Sequence, residues 1–396
     1  MSIRLTDICS AQDCTGCMAC LNACSHAAIT MVTDSLGFRY PKKDSDKCIN
    51  CGLCEKVCPQ LNETRFSRPV KCYAAAIKPE NTLLSCASGG AATALAVHTV
   101  SEGGIVAGCS GNDMHNVRHT IAETIAGLES FKGSKYVQSE IPQNLYRTIR
   151  SYLLKGRRVL FVGTGCQVAG LRGFLGKDYE NLVTADLVCH GVPSQQLLDD
   201  NIKRYKNIDA NSITFRYKKL RKTNSIRYAL TALTHNGGRR ITKPWYSDPY
   251  MGAFIACESF RDCCYSCRYA RPERQSDLTL CDFWGLGKDS RLAGSTGVSA
   301  VIVNTPKGLA FFNKASDILD FEERTVEEAV KGNGQLQYPS PKPADREKFV
   351  KIYASEGIRA AYRATARRRM IKKHLKTKIY PLVRVAYRIV KALKIR

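Results

Sequence analysis

The sequence predicts a small α+β domain over residues 1–64, an α/β domain with a mixed sheet over residues 70–340, and a basic helical tail over residues 343–396. Three observations support this division. The first part is rich in cysteine and turn residues, whereas apolar strand-like runs alternate with amphipathic stretches in the middle part. In the tail, residues 367–396 contain twelve Lys or Arg residues and no acidic residue.

The N-terminal domain contains two copies of the pattern C-x2-C-x2-C-x3-C, which begin at Cys14 and Cys48. Thiolates hold iron–sulfur clusters, and in this spacing three cysteines of a run hold one cubane while the fourth reaches the other cluster. A structural zinc site pairs two C-x2-C knuckles without a third cysteine at the same step, so zinc is the weaker alternative. The pattern therefore predicts a ferredoxin-like domain with two [4Fe–4S] clusters. The predicted ligands are Cys14, Cys17, Cys20 and Cys58 for the first cluster and Cys48, Cys51, Cys54 and Cys24 for the second.

The cysteine content also bears on the compartment. The chain of 396 residues contains 19 cysteines. Cytosolic thiols stay reduced, so this many cysteines fit metal binding better than disulfides. There is no run of about eighteen apolar residues that would predict a membrane span, and the first residues lack the apolar core of a secretory signal. We therefore expect a cytoplasmic protein.

The alternation in the central region predicts its secondary structure. The predicted strands are Ile105–Gly108, Arg158–Val162, Leu182–Val188, Ser212–Tyr217, Ile226–Leu233 and Val298–Asn304. The predicted helices are Gly89–Val100, Ile141–Lys155, Val168–Leu175, Ser194–Tyr205 and Lys307–Ile318. Asn236-Gly237 predicts a hairpin turn between two strands. This alternation is typical of an α/β domain with a mixed sheet.

Six short strings follow one another through the central region. They are Ser85–Leu95, Lys132–Ser139, Leu160–Gln167, Asp186–Ser194, Cys263–Cys267 and Asp277–Gly285. In this order, behind a head of bacterial ferredoxin type, they resemble the coenzyme F-420 hydrogenase/dehydrogenase beta subunit family. The resemblance implies an oxidoreductase that passes electrons between iron–sulfur centres and an organic acceptor by way of a flavin, FAD or FMN. It also implies a third [4Fe–4S] cluster in the central domain.

Two of the strings supply the predicted flavin site. Ser88-Gly89-Gly90 opens a helix, where backbone N–H groups and the positive end of the helix dipole favour an anion. Gly133-Ser134-Lys135 adds hydroxyl and ammonium donors for a pyrophosphate. The alternatives are an ordinary helix-start turn and a solvated loop. The predicted cofactor-binding residues are Ser88, Gly89, Gly90, Thr93, Gly133, Ser134, Lys135 and Tyr136.

The third cluster implied by the resemblance needs four ligands. Cys264 and Cys267 form a C-x2-C pair, and Cys166 and Cys189 each follow a predicted strand, where open α/β sheets place their sites. We expect these four cysteines to be the ligands. One alternative is that Cys166 or Cys189 is only a small buried hydrophobic residue. The competing ligands are Cys257, Cys263 and Cys281.

His190 and Trp284 are two further candidates. Imidazole titrates near neutrality, so His190 could donate a proton beside the flavin, or it could orient its loop through hydrogen bonds. Trp284 is expected to pack in the protein or to stack on the flavin.

The tail carries much of the net charge of +25. Beyond Pro381, apolar residues alternate with Arg384, Arg388, Lys391 and Lys394, which predicts an interfacial helix on an anionic membrane. A helix docked on a partner protein is the second alternative. Nucleic acid is the third, favoured by charge but by no base-reading motif. We therefore expect a peripheral position at the inner face of the cell membrane.

Two functions fit these expectations. The first is an oxidoreductase that takes electrons from a ferredoxin or another low-potential donor and reduces an organic small molecule. Bacterial relatives with this architecture resemble participants in surface polysaccharide synthesis, which implies a lipid-linked sugar as the acceptor. The second is an electron-transfer subunit of a larger redox complex without a substrate of its own.

Overall fold

The N-terminal domain is built from one β-hairpin and two short helices. The computed structural model of the protein describes residues 5–219, 225–235 and 238–376. The elements of this domain are α1 (Ala19–Ala23), β1 (Ile29–Thr33), β2 (Arg39–Lys43) and α2 (Leu53–Lys56). β1 and β2 pair antiparallel, and Leu36, Phe38 and Tyr40 are buried in and beside the hairpin. Each cysteine run leads into one of the two helices.

Within the described ranges, eleven further strands belong to the central domain. They are β3 (Lys71–Ile77), β4 (Ile105–Ser110), β5 (Arg118–Ala122), β6 (Val159–Thr164), β7 (Leu182–Leu187), β8 (Ile208–Lys219), β9 (Ser225–Thr234), β10 (Arg240–Pro244), β11 (Leu278–Asp282), β12 (Ser299–Val303) and β13 (Leu319–Arg324). Eight of them form a mixed sheet in the order β13-β3-β12-β11-β7-β6-β4-β5. β8, β9 and β10 form a separate antiparallel sheet. The predicted fold class, an α+β ferredoxin-like domain followed by an α/β domain with a mixed sheet, is confirmed.

Helices of the central domain and the tail pack either on the large sheet or against the β8–β10 sheet. They are α3 (Glu80–Ser85), α4 (Ala91–Ser101), α5 (Leu145–Leu154), α6 (Gly165–Leu175), α7 (Gln195–Ile202), α8 (Pro249–Ile255), α9 (Pro306–Ala315), α10 (Val326–Gly332) and α11 (Arg346–Thr365). Short 3₁₀ helices span Ala126–Phe131, Asp262–Ser266 and Gly334–Leu336. β4, β6, β7 and β11 run parallel to one another in the middle of the sheet, so the loops after them meet at one edge.

The described part of the basic tail packs on the central domain. Phe349, Tyr353 and Tyr362 of α11 are buried, and the Tyr362 hydroxyl donates to the Tyr246 carbonyl at 2.8 Å. Residues 367–376 are also helical. The predicted interfacial helix beyond Pro381 and the predicted Asn236-Gly237 turn lie outside the described residues. Within the described ranges, no helix is long and apolar enough to cross a membrane.

Two glycines of α6 let the N-terminal domain approach the central domain closely. A Cβ atom at Gly170 would lie 2.8 Å from Cβ of Cys17, and one at Gly173 would lie 2.4 Å from the carbonyl oxygen of Val57. Tyr146 of α5, which is wholly buried, donates its hydroxyl to the Cys17 carbonyl at 3.0 Å. The first cysteine run is therefore held closely against α6.

We expect Gly173→Ala to lower the melting temperature. Glycine to alanine in a helix normally stabilises by about 1 kcal/mol, but here the new methyl group would meet a backbone oxygen, and such overpacking costs about 1–3 kcal/mol. Thermal unfolding followed by circular dichroism measures the difference. Ser151→Ala, at an exposed position of α5, is the control and should leave the melting temperature nearly unchanged. A melting temperature above that of the wild type for Gly173→Ala would contradict the close contact.

Candidate metal and cofactor sites

The two cysteine runs gather into two groups of four. One cavity of about 260 Å³ is lined by Cys24, Cys48, Cys51 and Cys54. A second cavity is lined by Cys14, Cys17, Cys20 and Cys58. We call the first group the surface quartet, because Cys51 is exposed, and the second the interface quartet, because Cys17 abuts α6. Each quartet contains the four cysteines predicted to hold one cluster, and the assignment of ligands stays a prediction.

The backbone of each run has the same unusual shape. In both runs, the residues before and after the second cysteine have a left-handed backbone. The φ angle is 66° at Gly16 and 59° at Met18 in the first run, and 55° at Asn50 and 71° at Gly52 in the second. Methionine and asparagine adopt this conformation at a cost, so the shape is held by its surroundings. Such turns direct successive N–H groups into a concave anion site of the kind that receives iron–sulfur clusters. The residues therefore fit a cluster in each quartet.

Cys9 is a fifth thiol beside the interface quartet, and the spacing rule does not include it. Its thiol lines the same cavity and forms hydrogen bonds with Cys14 and Cys58. The hydrogen bond from Cys9 lowers the pKa of the Cys14 thiol. No signal in the sequence separates Cys9 from an ordinary free cysteine.

The four cysteines predicted for a third cluster also lie together, and we call them the sheet-edge quartet. Cys166 lies in the first turn of α6 directly after β6, Cys189 follows β7, and Cys264 and Cys267 lie in and after a 3₁₀ helix. Burial raises the pKa of the Cys166 thiol, and the other three thiols raise it further. Backbone amides point at the sulfurs, as the Gly191 amide does at 3.4 Å from Sγ of Cys189. Amide-to-sulfur hydrogen bonds and clustered thiols fit a [4Fe–4S] cluster.

The competing cysteines occupy different surroundings. Cys263 is buried directly beside Cys264 and shares a hydrogen bond with it. Cys257 faces His190, with 3.5 Å between Sγ and Nε2. Cys281 lies on β11 near Cys72.

His190 sits in an aromatic pocket beside the sheet-edge quartet. Its ring packs edge-on against Phe254 and Phe260, with ring centroids 5.5 and 5.4 Å away. Burial lowers its pKa to about 4, so the imidazole is neutral at pH 7. The Ser340 hydroxyl donates to the His190 carbonyl at 2.6 Å, which fixes the loop. A neutral imidazole in this position orients its loop more readily than it donates a proton.

Protein groups already use most of the donors that the sequence assigns to the flavin. The Gly89 amide donates to Oγ of Ser299 at 2.9 Å, and the Gly90 amide to the Ala87 carbonyl at 3.0 Å. Ser88 donates its hydroxyl to the Val298 carbonyl at 2.8 Å. Thr93 shares a hydrogen bond with the Cys86 thiol at 3.1 Å. The string therefore positions the start of α4 against β12.

In the second string, protein groups again bind several of the predicted donors. Lys135 donates its ammonium to the carbonyls of Ser130 and Lys132 at 2.8 and 2.9 Å, and burial lowers its pKa. Gly133 has open space where a Cβ would lie. The Tyr136 hydroxyl forms hydrogen bonds with Ser134 and Arg216, and its ring stacks on Phe254 at 4.7 Å.

Arg216 and Lys218, which are not among the predicted site residues, connect the two strings. They are alternate residues of β8 and so lie on one face of the strand. Arg216 forms a two-point ion pair with Asp282 at 2.7 and 3.0 Å. Lys218 donates to the carbonyls of Leu83 and Ser88, and burial lowers its pKa to about 8.

Aromatic rings complete this group. The Arg216 guanidinium lies 5.3 Å from the ring centre of Tyr228, whose ring is 6.5 Å from that of Trp284. Trp284 is 44% exposed. We call Tyr136, Arg216, Lys218, Tyr228, Asp282 and Trp284 the basic–aromatic cluster. Of its members, Tyr136 and Trp284 were candidates from the sequence, whereas Arg216 and Lys218 lie in and just after the predicted strand Ser212–Tyr217 and belong to no motif.

The basic–aromatic cluster has the chemistry of a flavin site. Nε of Arg216 is buried and has no hydrogen-bond partner among the described residues. A buried donor without a partner is costly, so a bound group that accepts from it would be stabilising. Flat aromatic faces suit the ring system of a flavin, and fixed cations suit its phosphate groups. These residues fit a flavin better than the glycine strings alone.

Two family comparisons agree with the cysteine pattern and with the last four of the six central strings. Residues 13–62 match the 4Fe-4S dicluster domain, and residues 156–329 match the family described as the C terminus of the coenzyme F420 hydrogenase/dehydrogenase beta subunit. The resemblance stated from the motifs is confirmed. The chain is thus an iron–sulfur electron-transfer protein related to an oxidoreductase family.

A solved structure and the curated proteins complete the comparison. The chain is similar to a chain of the F420-reducing [NiFe] hydrogenase complex from Methanosarcina barkeri, at 21% identity over 75% of this chain and 91% of that chain, with a TM-score of 0.44. No curated protein matches the chain.

Cys20→Ala tests the interface quartet. We expect this variant, purified without oxygen, to lose about four irons per chain, because one of four thiolate ligands is missing. Iron and sulfide analysis measures the loss. Cys72→Ala, which removes a wholly buried thiol of β3, is the control and should keep its iron. Full iron content in Cys20→Ala would show that this cysteine is not a ligand.

Proposed function

We propose that this chain, in which a 4Fe-4S dicluster domain precedes a domain of the coenzyme F420 hydrogenase/dehydrogenase beta type, is a flavin-dependent iron–sulfur oxidoreductase. Electrons from a ferredoxin or another low-potential donor would enter at the N-terminal domain and leave on an organic substrate. The observation that carries the proposal is a series of three cysteine quartets that ends beside the basic–aromatic cluster.

The series begins at the surface and continues into the protein. Cys51 of the surface quartet is exposed, so a donor can approach it. Cys17 of the interface quartet abuts Gly170 of α6, and Cys166 of the sheet-edge quartet lies at the start of the same helix. Tyr146 spans this step, because its hydroxyl donates to the carbonyls of Cys17 and Gln167. A single side chain thus joins the interface quartet to the helix that carries Cys166.

Aromatic rings lead from the sheet-edge quartet to the proposed flavin site. His190 follows Cys189 directly, its ring lies 5.5 Å from Phe254, and Phe254 stacks on Tyr136 at 4.7 Å. Because Tyr136 bonds to Arg216, the chain of contacts ends in the basic–aromatic cluster. These ring contacts form a continuous packed route between the sheet-edge quartet and the basic–aromatic cluster.

The residues of the cluster would bind and orient the flavin. Lys218 supplies positive charge for its anionic parts, Arg216 the Nε donor that has no partner among the described residues, and Ser134 a hydroxyl beside Tyr136. Tyr228 and Trp284 offer flat faces for its ring system. When bound, a flavin supplies the link between one-electron centres and two-electron chemistry on an organic substrate. The sheet-edge quartet would hold the third cluster, which completes the route.

The alternative, an electron-transfer subunit of a larger complex, is favoured by the 44% exposure of Trp284. An exposed aromatic edge could face a partner protein as well as a substrate. Purified protein that is reduced by dithionite and reoxidised by small organic acceptors alone supports the oxidoreductase. Reoxidation only after a partner enzyme is added supports the alternative.

Lys218→Met tests the flavin site. Loss of a charged hydrogen-bonding group removes about 1.5–3 kcal/mol, so we expect flavin affinity to fall about tenfold to a hundredfold. Fluorescence titration of flavin-depleted protein measures the affinity. Lys71→Met, at an exposed pair with Glu323, is the control and should bind flavin as the wild type does. Equal affinity in Lys218→Met would remove Lys218 from the site.

We extend the proposal to a membrane-bound acceptor, a lipid-linked sugar at the inner face of the cell membrane. The support is the charge of the tail, in which residues 377–396 hold six Lys or Arg residues and no acid. Each basic residue near an anionic surface contributes about 1 kcal/mol.

Deletion of residues 377–396 tests this extension. We expect the deletion to weaken binding to phosphatidylserine vesicles by more than about tenfold, with iron content unchanged. Vesicle co-sedimentation measures binding, and neutral vesicles are the control. Equal binding by the full chain and the shortened chain would exclude the tail as a membrane anchor.

A further inference from the structure

Arg261 is buried between the two domains. It is 1% exposed and is the largest of the fully buried side chains among the described residues. Its backbone lies at the sheet-edge quartet, because its carbonyl accepts from the Cys264 amide at 2.9 Å. Its side chain reaches into the N-terminal domain, where Nε donates to the Cys14 carbonyl at 2.6 Å. One residue thus touches two cysteine quartets.

The guanidinium makes its direct contacts with neutral groups and one thiol, and the Asp34 carboxylate interacts with it only at longer range. Nη2 donates to the Arg39 carbonyl at 2.9 Å and lies 3.4 Å from Sγ of Cys14. The charge also faces the ring of Tyr40 at 4.2 Å. These contacts use the donors of the guanidinium, but apart from the Cys14 sulfur they do not neutralise its charge.

Arg261 differs in this respect from the other two buried arginines of the described residues, Arg274 and Arg346. Arg274 pairs with Asp186 at 2.5 Å, and Arg346 pairs with Asp262 at 3.8 Å. Among the described residues, no carboxylate forms an ion pair with Arg261. A buried charge without a counter-charge costs several kcal/mol. An anion at Cys14 removes this cost, and an iron–sulfur cluster with its thiolates is such an anion.

We propose that Arg261 is the counter-charge of the interface quartet's cluster and raises that cluster's reduction potential. This inference rests on the clusters of the proposed function. When the cluster takes up one electron, its negative charge grows by one, and a fixed cation beside Cys14 stabilises the reduced form more than the oxidised form. Interactions between charges are strong at a buried site because the effective dielectric constant is low. Arg261 is therefore a positioning residue, since it sets the potential through Cys14 and its cluster.

The consequence for electron flow is directional. A higher potential at the interface quartet favours transfer from the exposed surface quartet toward the protein interior. Lys43, which lines the cavity of the surface quartet, is instead paired with Glu55 at 2.7 Å. That carboxylate offsets the charge of Lys43, so the surface cluster would gain less from its neighbouring cation.

The test is an EPR-monitored redox titration of three variants, each with iron and sulfide analysis. Arg261→Met removes the charge, whereas Arg261→Lys keeps it and loses the planar fork. Arg39→Gln is the matched control, because the Arg39 side chain lies at the same interface, is 41% exposed and is paired with Glu140. We expect Arg261→Met to lower the midpoint potential of one cluster by at least about 59 mV. For a one-electron reduction, this shift is a tenfold change in the equilibrium constant. Arg261→Lys and Arg39→Gln should shift the midpoint potential much less.

The outcomes separate this inference from the proposed function. Fewer than about eight irons per chain in the wild-type protein would contradict the two N-terminal clusters, and with them the proposed function. Full iron content with the same midpoints in wild type and Arg261→Met would overturn the role of Arg261 alone. Equal shifts in the Met and Lys variants would mean a packing role and would also overturn it. If Arg261→Met loses iron, Arg261→Gln replaces it, since glutamine keeps a donor for the Cys14 carbonyl without the charge.

Discussion

The contact between the first cysteine run and α6 is the constraint on which the rest of the arrangement depends. Electrons can pass from the N-terminal domain to the central domain only if their centres are close. Gly170 and Gly173 remove the side chains that would hold the two backbones apart. Tyr146 and Arg261 then fill the remaining space with bonds to the carbonyls of Cys17 and Cys14. The close approach of the two domains therefore depends on this contact.

The loops of the sheet edge are fixed by a buried ion pair below them. Arg274 bonds to Asp186 of β7, and Thr279 of β11 donates to the same carboxylate at 2.6 Å. Arg274 also donates to the Tyr269 carbonyl, close to Cys267. A buried pair with all its bonds made gives little net stability, but it can favour a single arrangement of the loops that carry it. Cys189 and Cys267 thereby keep their positions relative to each other.

Much of this could be predicted from the sequence, because ligand spacing is a local property. The C-x2-C-x2-C-x3-C repeat predicts both N-terminal quartets, and the strand-then-cysteine pattern predicts Cys166 and Cys189. The sequence did not predict the elements and site residues that depend on tertiary contacts. β3 is rich in alanine, which favours no strand, and it becomes one only between β12 and β13. Arg216 and Arg261 have no motif, since their roles depend on residues more than sixty positions away. The glycine strings were singled out from the sequence, but their amides bond first to the protein itself.

We propose a continuous series of three clusters that ends at a flavin. The most direct measurement is the iron, sulfide and flavin content of the full chain purified without oxygen, together with EPR after dithionite reduction. We expect about twelve irons and one flavin per chain, with signals from interacting [4Fe–4S] clusters. About eight irons and no flavin would contradict it. The central domain would then be a docking module for the two-cluster N-terminal domain.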